Sequence, residues 1–73
     1  MPPKLPQKYL EISRKLLKLG FVIDRTAGSH VVYYYRISNR RAVVPKHIRE
    51  LPKGTVKAII RESGIDIQEF LEA

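Results

Sequence analysis

The amino-acid sequence predicts an α+β fold in which helices pack against a three-stranded antiparallel sheet. Three observations indicate this class: an amphipathic helical pattern near the start, three short runs of β-branched and aromatic residues joined by tight turns, and a second helical pattern after a loop. The expected order is helix, three strands, helix and a short last helix. A chain of 73 residues has material for one hydrophobic core, so residues 1–73 are expected to form a single domain.

The first helix is predicted over residues 7–19. Pro6 stands where the first turn of a helix tolerates proline, and Gly20 stands where a left-handed cap is needed. One half of the helical wheel is apolar (Tyr9, Ile12, Leu16, Leu17, Leu19) and the other is charged (Lys8, Glu11, Arg14, Lys15, Lys18). The division predicts a surface helix docked on a core, with Glu11 placed to pair with Lys15.

Three strands are predicted at residues 21–25, 31–37 and 41–44, where β-branched and aromatic residues are concentrated. The gaps between them, residues 26–29 and 38–40, are short and rich in turn-forming residues, so an antiparallel meander is expected. Pro45 should end the third strand, because proline has no N–H to donate to the ladder.

Two helices are predicted after a loop at residues 46–53. The second helix should begin at Gly54 or Thr55 and run to residue 63, with Val56, Ile59 and Ile60 on its buried face and Gly64 as its cap. Asp66 and Glu69 resemble a capping box for a short last helix. Its inward residues are expected to be Ile67, Phe70 and Leu71.

The charge is strongly positive and unevenly distributed. The chain has 14 Lys and Arg against 7 Asp and Glu, a net charge of +7. All 14 basic residues and only three acidic ones lie in the first 61 residues, which therefore carry +11, whereas the last part of the chain adds four acids. A positive field of this size favours a polyanionic partner such as nucleic acid. A solvated surface kept for solubility explains the same charge, and charge alone does not separate RNA from DNA or an acidic protein.

Several classes of site are excluded or disfavoured by composition. The chain has no cysteine, which excludes disulfides and thiolate metal sites. The seven acids are too scattered to suggest a magnesium site, so no metal or other cofactor is expected. No apolar run approaches the ~18 residues of a membrane span, and the start Met1-Pro2-Pro3-Lys4 lacks the apolar region of a signal peptide. A cytoplasmic protein without a membrane partner is therefore expected.

Histidine is the residue type best suited to chemistry in this chain. Only His30 and His47 have reference pKa values near neutrality, at about 6.5. RNA is cleaved without metal when a base removes the proton of a ribose 2′-hydroxyl, which then attacks the adjacent phosphate. His30 follows Gly28-Ser29, where glycine permits a tight turn and close approach to a ligand. The simpler interpretation is a surface histidine after an ordinary turn.

Basic residues near these histidines are candidate RNA contacts. Arg25 and Arg36 flank His30 in sequence, Gly28 and Ser29 form its turn, and Lys46 precedes His47 just beyond the third strand. His47 is interpreted as an RNA contact or a structural residue, and a second catalytic role is left open.

A second group of candidate contacts lies on the second helix and on the central strand. Lys53, Lys57 and Arg61 recur every four residues, which aligns them along one side of a helix whose first amides favour an anion. They form a candidate phosphate clamp, although a solvated helix face explains the spacing equally well. In the central strand, Val31, Tyr33 and Tyr35 alternate with Val32, Tyr34 and Arg36, and Arg36 indicates that the second set is the more solvated one, so the first set is expected to face the core. Tyr34 belongs to the second set, as His30 does, and is a further candidate for stacking on a base.

An ordered series of motifs resembles a known family. The series consists of Leu16-Leu17-Lys18-Leu19-Gly20-Phe21, Gly28-Ser29-His30, Val44-Pro45-Lys46-His47, Gly54-Thr55-Val56-Lys57-Ala58-Ile59-Ile60-Arg61, Gly64-Ile65 and Glu69-Phe70-Leu71. Together these motifs resemble the HicA toxins of bacterial and archaeal toxin-antitoxin systems. The resemblance implies a double-stranded-RNA-binding-domain-like fold and a metal-independent mRNA interferase that requires the histidine of Gly-Ser-His, here His30. It also implies an antitoxin partner, HicB, that covers the active surface.

Two other functions compete with a ribonuclease. A domain of the same shape can hold structured RNA through shape and phosphate contacts without cutting it. DNA binding through the second helix is the third hypothesis, and it is the weakest because no clear helix-turn-helix spacing is present.

Overall fold

The structure is a computed structural model that describes residues 4–73, so the first three residues of the N-terminal start lie outside the described part. Its elements are α1 (Tyr9–Lys18), β1 (Val22–Ala27), β2 (His30–Tyr35), β3 (Arg40–Pro45), α2 (Lys53–Ser63) and α3 (Ile67–Glu72). The three strands form one antiparallel sheet in the order β1-β2-β3. This arrangement confirms the expected α-β-β-β-α fold with a short C-terminal helix.

The strands are longer at one end of the sheet than predicted. β1 continues to Ala27, which pairs with His30, so the first hairpin turn is reduced to Gly28 and Ser29. Gly28 has a φ of 59°, a left-handed conformation that glycine adopts without steric cost. β3 likewise includes Pro45, which pairs with His30 from an edge strand, where the missing N–H disturbs only one side of the ladder.

The helices cover one face of the sheet. Val31 and Tyr33 of β2 are buried there with Val44 of β3, against α1 residues Ile12 and Leu16. The partly buried Tyr35 packs on Phe21 with ring centroids 5.2 Å apart. The predicted inward set of β2, residues 31, 33 and 35, is therefore confirmed. Alternation directs residues 30, 32 and 34 to the opposite, outer face.

Helix α1 differs from its predicted amphipathic division at two positions. Leu17 was expected to be inward but is 46% exposed, whereas Lys15 was expected to be exposed and is buried. The Lys15 ammonium donates hydrogen bonds to the carbonyl oxygens of Leu71 (2.9 Å) and Ala73 (3.0 Å), so its chain lies between α1 and α3. Burial, with the charge of Arg14, lowers the pKa of Lys15.

The expected ion pair between Glu11 and Lys15 is not formed. Within residues 4–73, the one ion pair joins Arg41 to Asp24 at 3.4 Å. Instead, the methylenes of Lys15 cover apolar surface and its ammonium binds free carbonyl groups at the end of a helix.

The last two helices follow the predicted capping pattern. Gly64 ends α2 with a φ of 74°, and the Asp66 carboxylate accepts a hydrogen bond from the Glu69 N–H at 3.2 Å. The expectation that Ile67 points inward is wrong, because that side chain is 46% exposed while Phe70 fills the core. A helix of six residues presents little more than one turn to the core, so the side chain at its start remains outside.

A small polar cluster is buried between α1 and the sheet. The Tyr33 hydroxyl donates a hydrogen bond to Ser13 Oγ at 2.6 Å and lies 3.1 Å from the Tyr9 hydroxyl. Tyr33 is completely buried, and burial raises its pKa to about 12. The cluster satisfies the polar atoms that the core would otherwise leave without partners.

We predict that Tyr33→Phe lowers the free energy of unfolding by about 2 kcal/mol at neutral pH, because the hydrogen bonds of the buried hydroxyl with Ser13 and Tyr9 are both lost. A pKa raised from 10 to about 12 means that folding favours the neutral phenol. The free energy of unfolding of the wild type should therefore fall by up to about 3 kcal/mol as pH rises from 10 through 12. The variant has no phenol at this position and should not show this fall. Urea unfolding across this range measures the effect. A difference in the free energy of unfolding between the two proteins that stays constant from pH 10 to pH 12 would contradict the prediction.

Candidate nucleic-acid interface

His30 lies at the first position of β2, where it is exposed beside the open Gly28-Ser29 turn. Its backbone pairs with Ala27 on one side and Pro45 on the other, so the central strand holds it between two neighbours. Among residues 4–73, no atom beyond Gly28 and its two chain neighbours lies within 4 Å of the position that a Cβ atom on Gly28 would take. The turn therefore leaves space beside the histidine for a ligand to approach the backbone.

The end of β3 brings two further residues to this turn. The Lys46 N–H donates a hydrogen bond to the Ser29 carbonyl oxygen, which extends the pairing of β2 and β3 one step beyond Pro45. The next N–H, of His47, donates to the Pro45 carbonyl oxygen at 3.1 Å. The structure thus places the motifs containing His30 and His47, distant in sequence, at one end of the sheet.

The start of α1 borders the same end. The Lys46 ammonium lies 5.9 Å from the centre of the Tyr9 ring, a cation–π distance. His47 and Ile48 line a groove of about 420 Å³ together with residues 8–11. Leu10 and Ile48 expose large aliphatic side chains here, the first 77% and the second completely.

The start of α2 is joined to the N-terminal segment nearby. Gln7 accepts a hydrogen bond from the Leu51 N–H at 2.7 Å and its side-chain amide donates to the Leu51 carbonyl oxygen at 3.0 Å. α2 begins at Lys53, one residue earlier than predicted, and Pro52 before it provides no side-chain cap. A pocket of about 490 Å³ lies here, lined by Lys4, Leu5, Gln7, Lys53 and Lys57.

The structure does not bring all the sequence-predicted contacts together. Arg25 pairs with Val32, two pairing steps along β1 from the Ala27–His30 pair, so it remains near the histidine. Arg36 follows the opposite end of β2, six residues from His30, a separation of about 20 Å. Arg61 lies two turns from Lys53 along α2, about 12 Å away, and does not line the pocket.

Tyr34 lies on the outer face but its polar and aromatic surfaces already have partners. The Arg41 guanidinium is 5.1 Å from the ring centre, and the hydroxyl donates to Asn39. Arg41 also pairs with Asp24 across the sheet. A base stacking on Tyr34 would have to displace Arg41, a neighbour that the sequence pattern did not identify.

The opposite end of the molecule carries acidic residues. A smaller pocket of about 270 Å³ there is lined by Arg40, Asp66 and Glu69, among others, and the Arg40 guanidinium donates to the Gly64 carbonyl oxygen at 2.7 Å. The acids of the C-terminal part therefore lie away from His30 and His47, beside the basic residue Arg40.

Among residues 4–73, no three His, Cys, Asp or Glu side chains are grouped so that they could hold a metal ion. No helix in that range is both long and apolar enough to cross a bilayer.

Four residues at this end were missed by the sequence interpretation: Lys4, Gln7, Tyr9 and Ile48. Tyr9 was assigned to the apolar face of α1, and the others had no assigned role. Their proximity to the site results from hydrogen bonds between distant segments, such as Gln7 with Leu51, which no local pattern indicates.

Comparison with known proteins identifies a family. Residues 10–65 match the family model described as HicA toxin of bacterial toxin-antitoxin. The matched range includes the Gly28-Ser29-His30 turn, the Lys46-His47 segment and the whole of α2. No curated protein matches the chain.

We predict opposite effects for alanine at two glycines. Gly28→Ala should lower the free energy of unfolding by about 1 kcal/mol, because an L side chain is strained at its positive φ. Gly54→Ala should raise it by about 0.5 kcal/mol, because that glycine is helical and has open space around it. Urea unfolding measures both. A Gly28→Ala protein at least as stable as the wild type would show that the turn does not depend on the left-handed conformation.

Proposed function

The chain belongs to the HicA toxins of bacterial toxin-antitoxin systems, and from this membership we propose that it is a metal-independent endoribonuclease. In this proposal it cleaves mRNA and thereby inhibits translation in the cytoplasm. The observation that carries the proposal is the position of His30, exposed at an open glycine turn with Lys46 and His47 on the neighbouring strand end. A titratable base, a cation and space for the ribose-phosphate chain meet there.

The proposed chemistry uses the 2′-hydroxyl of the RNA as nucleophile. His30 removes the proton of that hydroxyl, and its oxygen attacks the adjacent phosphorus. The bond from phosphorus to the 5′ oxygen of the next nucleotide breaks, which leaves a 2′,3′-cyclic phosphate and a 5′-hydroxyl. The leaving 5′ oxygen takes a proton from His47 or from water.

Cations at this end stabilise the charge that develops on the phosphate. Lys46 is next to the turn through its hydrogen bond with Ser29, and Arg25 lies on β1, two pairing steps from the Ala27–His30 pair. Positioned positive charges are most effective when the transition state is more negative than the substrate. In this proposal Lys46 and Arg25 therefore contribute to rate as well as to binding.

A binding module that holds RNA without cutting it is the second candidate. Its fold would be the same, and its contacts would be the phosphate contacts of the cationic end. The two functions differ in what His30 does, because a binding module has no need of a proton acceptor at the turn.

We predict that the purified protein cleaves RNA equally with and without EDTA, and leaves DNA of the same sequence intact because DNA lacks the 2′-hydroxyl. His30→Ala should lower the rate by at least about 100-fold, since general base catalysis is lost. The cleavage rate of labelled RNA measures both effects.

The controls separate the two candidate functions. His30→Ala should still bind RNA, and its circular dichroism should match that of the wild type. His47→Ala should change the alkaline side of the pH–rate profile if His47 is the proton donor. Intact RNA under every condition would favour the binding module, and cleavage abolished by EDTA would contradict the metal-free mechanism.

The groove between α1 and His47 is the surface we propose for the HicB-type antitoxin. Leu10 and Ile48 are aliphatic, so they offer no ring for a base to stack on, but they suit an apolar side chain of a protein. Lys8 and His47 line the groove beside them together with one acid, Glu11, and the Lys46 ammonium lies over the neighbouring Tyr9 ring. The two lysines outnumber the single carboxylate, which favours an acidic partner surface. An antitoxin anchored there would cover His47 and obstruct His30.

We predict that Leu10→Ser with Ile48→Ser weakens inhibition by the HicB-type protein encoded beside this toxin at least about tenfold, with RNA cleavage unchanged. Ile37→Ser is the matched control, because Ile37 is 85% exposed beyond the other end of β2. Titration of the cleavage rate with antitoxin measures the inhibition. A loss of cleavage by the double variant would show instead that Leu10 and Ile48 themselves contact RNA, in addition to the lysines beside them.

A further inference from the structure

The segment before α1 is packed onto the start of α2. Leu5 packs against the core, Pro6 is buried, and Gln7 exchanges two hydrogen bonds with Leu51. Lys4 is exposed immediately before these three anchored residues. The backbone position of Lys4 is therefore determined by the fold.

This arrangement places three lysines around one pocket. Lys4, Lys53 and Lys57 line a space of about 490 Å³. Leu5 and Gln7 complete its lining within the described residues 4–73, and none of these five side chains is acidic. All three lysines are exposed. Like charges around one space repel each other, and an anion bound between them removes that repulsion.

We propose that this pocket binds a backbone phosphate of the RNA, with Lys4 from the N-terminal segment as its third cation. The proposal rests on the proposed function and adds a second contact point for the same substrate. It also changes the phosphate clamp expected from sequence. Lys53 and Lys57 remain, but Lys4 takes the place of Arg61, which does not line the pocket.

The pocket lies on a continuous route to His30. Gln7 lines the pocket, and the adjacent Lys8 lines the groove that contains His47. His47 follows Lys46, whose N–H is bonded to Ser29 at the turn. A strand held in the pocket would reach the histidine past the cations Lys8 and Lys46. The pocket then contributes to substrate affinity and leaves the chemical step to the residues at the turn.

Binding of an RNA oligonucleotide by proteins in the His30→Ala background tests the proposal, because that RNA stays uncut. Lys4→Ala, Lys53→Ala and Lys57→Ala should each weaken binding about three- to tenfold at low salt and reduce the slope of log affinity against log salt by about 0.7 to 0.9. The matched control is Arg61→Ala, which removes one cation from the same helix outside the pocket. It should leave the slope unchanged.

A charge-neutral variant tests the position of Lys4. Gln7→Ala removes the side-chain bond to Leu51 without changing the net charge. The Gln7→Ala variant should bind RNA more weakly. The further loss of affinity caused by Lys4→Ala should then be smaller in the Gln7→Ala protein than in the protein that keeps Gln7. With His30 restored, Lys4→Ala should raise KM and leave kcat unchanged.

Inorganic phosphate distinguishes a site for free anions from a site for RNA. Chemical-shift changes at Lys4, Lys53 and Lys57 in phosphate, reversed by RNA, support the proposal. Such changes without RNA binding would assign the pocket to a free anion and overturn it. An Arg61→Ala effect as large as that of Lys4→Ala would also overturn it. Pocket-dependent binding by a wild-type protein that cuts no RNA would sink the nuclease proposal and leave the pocket in place.

Discussion

Burial of Val31 and Tyr33 on one face of β2 is the constraint on which the rest of the structure depends. β2 pairs with both other strands, and side chains alternate along it, so these two residues determine the register of the whole sheet. A slip of one residue would turn Tyr33 out of the core and His30 toward the helices. The same packing that stabilises the domain therefore directs the histidine away from it. Its place at the hairpin turn follows from the pairing of Ala27 with His30.

The functional end is assembled by a few backbone hydrogen bonds between distant segments. Ser29 with Lys46 joins the two histidine motifs, and Gln7 with Leu51 joins the start of the chain to α2. Each bond contributes only about 1 kcal/mol to stability. Their larger effect is to position cations that repel one another around open space. At the other end of the sheet the basic residues are mixed with acids, as Arg40 is with Asp66 and Glu69 in one pocket. The pocket that lies by the N-terminal segment is lined by three lysines instead.

Two buried polar side chains show how a domain this small closes its core. Tyr33 shares its hydroxyl with Ser13, and Lys15 extends between α1 and α3 to reach the last carbonyl groups. Neither contact was evident from the sequence, where tyrosine reads as an apolar strand residue and lysine as a solvated one. The Lys15 methylenes make apolar contacts in the core, and its ammonium donates hydrogen bonds to the carbonyl groups at the end of α3. One charged residue therefore both packs in the core and caps a helix.

The sequence by itself determined the order of the elements, the caps at Gly64 and Asp66, and the inward set of β2, because these depend on local conformation and on side-chain periodicity. It also identified the turn that holds His30. It misjudged Lys15, Leu17 and Ile67, because burial at the rim of a small core depends on which neighbouring helix covers each position. Only the tertiary structure decided which cations share a site. Arg36 lies far from His30, Arg61 lies outside the pocket at the start of α2, and Lys4 lines that pocket. The distance between segments depends on packing and long-range hydrogen bonds, which spacing along the chain does not show.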